Sequence, residues 1–340
     1  MSRQEKSITQ ADIAREVNTS IVTVSNALSG KKGVNDELRQ KILDVAEEMG
    51  YKRKQKRTEK RERESYNIGV IMSERYLKMI PSFYMKVYQE IVIAATEKDE
   101  FTLLEVLSSE REINLELPDL IHNGKVDGIL ILGELKHPYT TLLKENSKVP
   151  IVFVDYYEDL PDTDFIITSG YYGTYQLTRI LLEAGYRDIA FVGTLGATSS
   201  ITDRYMGYRK ALLEYNMDVK KDWIIRDRKL WDDSIEIKLP NQMPEAFVCN
   251  CDRTASIVIK ELYQQGYRVP DDIAVTVFDH YLMEDMGGIE LLTYDVDIEA
   301  IAQVSVNTMI RKIEHTHFIP RLRIIEGKII RGNSFIDRNG

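Results

Sequence analysis

Cysteine is scarce in this 340-residue chain: only Cys249 and Cys251 occur. In an extended segment their side chains point the same way, but a bridge over so short a span is strained. With no other partner available, two thiols fit a reducing compartment. Long apolar runs are missing as well. No stretch approaches the roughly 20 apolar residues of a membrane helix. The opening MSRQEKSITQADIA lacks the apolar core of a secretory signal. A cytoplasmic location with no membrane partner is therefore expected. The five histidines, His122, His137, His280, His315 and His317, show no ligand spacing, so no metal site is expected and no cofactor is implied. No GxGxxG run, Walker loop or nucleophile elbow occurs, which leaves an enzyme without sequence support.

Length suggests two or three domains, and 43% hydrophobic with 29% charged residues is ordinary for a globular chain. The net charge of −9 argues against an anionic partner, yet its distribution does not. Residues 1–65 hold 15 Lys/Arg against 11 Asp/Glu, so this end alone is basic.

Three short helical patterns fit residues 9–49. Thr9 can cap the first, with Asp12 at its third position; Ile13, Ala14 and Val17 share a face. Asn18 falls where a turn takes positive φ, which Asn tolerates. Ser20 can cap a second helix with Val24 and Leu28 inward and Ile21, Val22, Ser25 and Asn26 outward. Asn35 can cap a third, with Leu38, Ile42, Val45, Ala46 and Met49 inward and Gly50 as its stop. A helix, a short turn and a second short helix is the geometry of a DNA-reading helix-turn-helix. Exposed β-branched residues such as Ile21 and Val22 gain nothing in water but can meet thymine methyls in a major groove. A plain three-helix bundle docked on another domain would use the same pattern.

The segment ITQADIAREVNTSIVTVSNALSGKKGVNDELRQKILDVAEEMGY resembles the headpiece of the lactose-repressor (LacI/GalR) family. That family shows D-(I/V)-A, T-V-S-x-x-L-(N/S)-G, V-x-x-x-(T/L)-R-x-x-(I/V) and A-x-x-(L/M)-(G/N)-Y, all present here in order and spacing. The resemblance implies double-stranded DNA as partner, in the form of a palindromic operator, and a homodimer to match its two half-sites. It places Ile21, Val22 and Asn26 at base-reading positions. Thr9, Ser20, Thr23, Ser25, Asn35 and Tyr51 fall at positions that contact the DNA backbone.

Residues 52–65, KRKQKRTEKRERES, depart from that family. Relatives carry a leucine there that wedges into the minor groove; Lys60 stands at its position and the whole segment lacks an apolar residue. Arginines entering a narrow groove are the expected substitute.

From residue 66 onward, strand-like runs at 67–72, 101–107, 128–132, 151–155, 165–168, 188–193, 246–249 and 273–278 alternate with helical stretches, including 83–97, 172–184, 204–215 and 253–265. Such alternation predicts α/β structure with parallel sheets and a ligand beyond the strands' carboxyl ends. The markers IGVIMSE, VDGILILG, VPIVFVD, LLEAGYRDIAFVG, RYMGYRKAL and YRVPDDIAVTVFD resemble the same family's core, which has the fold of periplasmic sugar-binding proteins. The resemblance implies a headpiece (1–51), a basic hinge (52–65) and a two-lobed core (66–340). Lobe 1 would take about 66–166 plus 297–320, and lobe 2 about 167–295 plus 321–340.

By the same resemblance Asp155, Arg204 and Asp279 stand at positions that hold sugar hydroxyls, where paired carboxylates and a planar guanidinium suit adjacent hydroxyls. Each could instead cap a helix or close a salt bridge. Trp231 is a candidate for stacking on a sugar face. Glu74 and Ser82–Phe83–Tyr84 follow the first strand and are candidates to close the cleft. Cys251 stands where the family has a ligand-binding Asn, with Asn250 as its substitute from one residue earlier. The expected function is an effector-controlled transcriptional regulator, a repressor, with a sugar as effector. A sugar-processing enzyme with an accessory DNA module, or a regulator controlled by a protein partner, remain the alternatives.

Overall fold

The computed structural model describes residues 8–28, 30, 33–49, 51, 65–77, 82–230, 234–282, 288–314 and 319–339. The chain divides into two compact units at Glu64/Ser65. Gly50, the hinge at 52–64, Trp231, His315 and His317 lie outside the described residues.

The small unit is three helices, α1 (Gln10–Glu16), α2 (Ile21–Leu28) and α3 (Asp36–Glu48). Each starts where a short polar side chain meets unpaired amides. Asp12 accepts from both the backbone N–H and the hydroxyl of Thr9, at 3.0 and 2.7 Å. Ser20 Oγ accepts from the Thr23 N–H at 3.0 Å, and Asn35 Oδ1 from that of Leu38 at 2.9 Å. Asn18 has φ +53°, the left-handed turn its type predicts. Ile13, Ala14, Val17, Val24, Ala27, Ile42 and Ala46 close a small core.

The large unit begins with β1 (Asn67–Ser73), a 3₁₀ turn (Glu74–Leu77), α4 (Phe83–Thr96), β2 (Phe101–Leu107), α5 (Ser109–Asn114), α6 (Asp119–His122), β3 (Gly128–Leu132), α7 (His137–Asn146), β4 (Ile151–Val154) and β5 (Asp164–Thr168). It continues with α8 (Gly170–Glu183), β6 (Ile189–Val192), α9 (Ser199–Glu214), β7 (Ile224–Ile225), β8 (Ala246–Cys249), α10 (Asp252–Gln264), β9 (Ala274–Asp279) and β10 (Leu292–Asp295). Last come α11 (Ile298–Glu314), β11 (Leu322–Ile325) and β12 (Lys328–Ile330).

Two six-stranded sheets result, ordered β11-β5-β4-β3-β1-β2 and β12-β10-β9-β8-β6-β7. Every pairing is parallel except β10 with β12. Parallel strands buried on both faces read as continuous apolar runs, and GILIL, IVFV and IAFV are buried throughout. The chain passes between sheets three times: after β5, after β10 through α11, and between β11 and β12.

All eight expected strands form, their ends moved by at most one residue. Helix α9 begins at Ser199, five residues before its expected start, because Thr198 accepts the Ile201 N–H and caps it. The lobe boundaries need correction. Strand β5 runs to Thr168 in the first sheet, past the expected limit at 166, and β11 pairs with β5 there although 321–340 was assigned to the second lobe. Only β12 joins the second sheet. Gly207 of the RYMGYRKAL motif explains itself in the same unit: a Cβ there would stand 2.0 Å from the Tyr171 carbonyl, so glycine lets α8 and α9 cross closely.

Candidate functional site

In the headpiece, α2 turns Val24 and Ala27 inward and leaves Ile21 and Val22 at 52% and 67% exposure. Thr9, Ser20 and Asn35 are exposed; Thr23, Ser25, Asn26 and Tyr51 are partly so. The three capping residues Thr9, Ser20 and Asn35 thus stand at helix N-termini, where amides and dipole favour an anion such as phosphate. Arg39 of α3 steadies the far end of α2 by donating to the carbonyls of Asn26 and Ala27 at 3.1 and 3.0 Å.

In the core, the carboxyl ends of both sheets face one cleft. The first lobe lines it with Tyr76, Ser82, Phe83, Tyr84 and Asp155; the second lobe's lining includes Ser200, Arg204, Arg228, Cys251, Asp279 and Tyr281. Three residues expected from separate stretches of sequence therefore meet: Asp155 after β4, Arg204 on α9 and Asp279 ending β9 are each 5–6% exposed. Arg204 lies 3.2 Å from Asp279 Oδ1 through Nη2, donates to the Asn250 carbonyl through Nη1 at 2.6 Å, and covers the Phe278 ring at 4.2 Å. Its Nε and the Asp279 Oδ1 have no hydrogen-bond partner of adequate geometry among the described residues. Both atoms are buried, so hydrogen-bonding capacity beside the cleft is left unmet.

Asp155, just after β4, takes the left-handed φ of +59° that Asp tolerates, whereas Asp279 at the end of β9 has φ +118°, a strained value for a residue other than glycine. Burial pushes the Asp279 carboxyl up to about 8; the Arg204 charge opposes this, and Asp252 and Asp155 add to it. Asp155 is also raised by burial, against the pull of Arg204 and of the Tyr84 hydroxyl, which donates to it at 3.0 Å.

Of the expected ligand residues, Glu74 lies away from the cleft and Asn250 turns its amide nitrogen into its own lobe. Glu74 does not line the cleft: the 3₁₀ turn that follows β1 carries its carboxylate to the Ser109 N–H at 2.9 Å, at the start of α5. Asn250 lines the cleft, but its amide is engaged inside the second lobe. Its Nδ2 lies 2.9 Å from the Val192 carbonyl and 2.8 Å from Asp227 Oδ2. Phe83 is in place, edge-on to Tyr281 of the other lobe with ring centroids 5.5 Å apart. Cys249 packs in the second lobe's core, whereas Cys251 lines the cleft with Sγ 3.2 Å from Thr254 Oγ1; burial raises both thiols.

Sequence reading missed the supports. Asp227, fully buried, binds the Arg228 guanidinium at 2.7 Å and accepts the Thr194 N–H at 2.8 Å. Burial works to raise its carboxyl, but Arg228, Asn250 and Thr194 together hold it below the ordinary range. Asp252 accepts the backbone N–H groups of His280, Tyr281 and Leu282 at 3.1, 2.7 and 2.9 Å, which fixes the turn that presents Asp279 and Tyr281. No helix among the described residues is long and apolar enough to cross a membrane.

Comparison with known proteins agrees with this architecture. The profile for bacterial regulatory proteins of the lacI family matches residues 9–54, and that for a periplasmic binding protein-like domain matches 178–335. The HTH-type transcriptional repressor PurR of Mannheimia succiniciproducens is 25% identical over 320 residues, covering 89% of this chain and 91% of its own. A complex of the transcriptional regulator CelR with cellobiose superposes with a TM-score of 0.67 at 19% identity, covering 96% of this chain and 99% of that one. The lac repressor dimer bound to operator and the anti-inducer ONPF gives 0.64 at 18% identity, covering 97% and 99%. The chain belongs to the LacI family: it is a DNA-binding transcriptional regulator with a helix-turn-helix headpiece and a periplasmic-binding-protein-like effector core.

Proposed function

We propose that the protein is a dimeric repressor whose hold on a palindromic operator is set by a sugar bound between the lobes. Ile21, Val22 and Asn26 read bases, while Thr9, Ser20, Thr23, Ser25, Asn35 and Tyr51 grip the DNA backbone. The observation that carries the effector reading is the meeting of Asp155, Arg204 and Asp279, all buried, on one cleft between two sheets. Carboxyl groups beside a fork-shaped guanidinium suit vicinal hydroxyls, and Phe83 and Tyr281 supply the apolar faces a pyranose ring packs on. A ligand that touches both lobes favours the closed cleft only by its differential affinity for that state, and the shift in lobe geometry is what the headpieces read.

The test is selection of genomic DNA fragments by the full chain beside an Ile21→Ala/Val22→Ala variant, at two salt concentrations. A palindrome enriched by the parent and lost in the variant supports the reading. Equal enrichment by both would contradict base reading by α2.

A further inference from the structure

Among the described residues, a pair of hydrogen bonds joins the first lobe to the first two turns of α9. Glu134, just beyond β3 in the first lobe, accepts the Ser199 N–H at 2.7 Å. Tyr157, in the segment after β4, donates its hydroxyl to Asp203 Oδ1 at 2.9 Å. Helix α9 is the element that brings Ser200, Ile201 and Arg204 to the cleft. Its own cap, Thr198, serves the Ile201 N–H. Glu134 therefore reaches from the opposite lobe to one of the four amides that the helix cannot satisfy internally, at the positive end of its dipole. On its other side the Glu134 backbone carbonyl accepts from the hydroxyl of Tyr76, a cleft residue, at 2.8 Å. One residue thus joins the first lobe's cleft lining to the helix that carries the second lobe's guanidinium.

We infer that Glu134 and Tyr157 are positioning residues that act as a two-point latch, holding α9 and with it Arg204 against Asp155 in a closed cleft. The inference rests on reading the cleft as the effector site, but the latch is testable without an effector. Ligand affinity scales with the fraction of molecules already competent to bind, so a latch that touches no ligand still sets apparent affinity.

The experiment is native-state hydrogen exchange on the ligand-free full chain. Glu134→Ala speeds exchange of the Ser199 amide by at least tenfold, and Glu134→Gln, whose amide oxygen still accepts, restores most of the protection. Tyr157→Phe leaves every bond of Ser199 in place, yet it speeds the same amide about threefold if the two contacts open together. An unchanged Ser199 rate in Glu134→Ala, or in Tyr157→Phe, overturns the latch. So does acceleration that extends to 207–212, which would mark unwinding of α9 instead of parting of the lobes.

Discussion

The two lobes share one strand order and yet support the cleft in different ways. In the first, Asp155 directly follows β4, and its neighbours are rings: Tyr76 and Tyr84 pack at 4.2 Å and Tyr84 donates to the carboxyl group. In the second, β9 ends in Asp279, and its surroundings are a buried polar network in which Asp227 ties β6, β7 and β8 together while Asp252 clamps the turn after β9. Side chains fixed by satisfied hydrogen bonds cannot adjust cheaply, whereas rings packed on one another can slide. On the proposed reading, the second lobe is the rigid anchor for the effector's polar groups and the first is its adaptable cover.

That contrast is most exposed at Asp227. Asp227→Ala leaves the Arg228 charge and the Asn250 amide without their common acceptor, and breaking a buried pair costs about 3–5 kcal/mol. Denaturant unfolding should show the loss confined to the second lobe. Arg204→Ala comes next, because it removes the guanidinium shared by the cleft carboxylates. Effector affinity should fall about a hundredfold, read as the concentration needed to shift operator binding.

A pH dependence follows from Asp279. Its carboxyl rises to about 8 in the folded chain, from about 3.9 in an unfolded one. The folded state then holds the extra proton between those values, so this contribution to stability is full below about 4 and lost as pH rises through about 8. Thermal unfolding of the full chain should occur several degrees lower at pH 8.5 than at pH 6, and Asp279→Asn should remove most of that difference. The smallest effect belongs to the first lobe. Tyr84→Phe deletes one hydroxyl donated to Asp155 and should weaken effector binding by about 1 kcal/mol, a loss measurable by calorimetry. A Tyr84→Phe loss as large as that of Arg204→Ala would abolish the distinction between anchor and cover.

The headpiece was legible because its signals are local. Caps, the Asn18 turn and the apolar faces each lie within a few residues of what they control. The main strands were legible for a similar reason, since burial on both faces writes a continuous apolar run. Strands β7, β10, β11 and β12 were not, because these short segments lack the continuous apolar, fully buried run that marks the equally short β4, β6 and β8. The three cleft residues Asp155, Arg204 and Asp279 came through resemblance, and they line one cleft together. Glu74 and Asn250 did not behave as expected: a residue at a strand end has several directions open to it, and neighbours decide among them. For Asn250 the deciding neighbour is Asp227, in a stretch with neither periodicity nor motif. Tyr281 likewise owes its place to the Asp252 clamp, which no spacing along the chain announces.

The most direct measurement is operator affinity of the full chain across a panel of neutral sugars, with the parent and Arg204→Ala side by side. The account predicts at least one sugar that changes the parent's affinity tenfold or more and leaves the Arg204→Ala protein unmoved. A sugar that shifts both proteins equally would place the effector elsewhere and contradict the anchoring role of the second lobe.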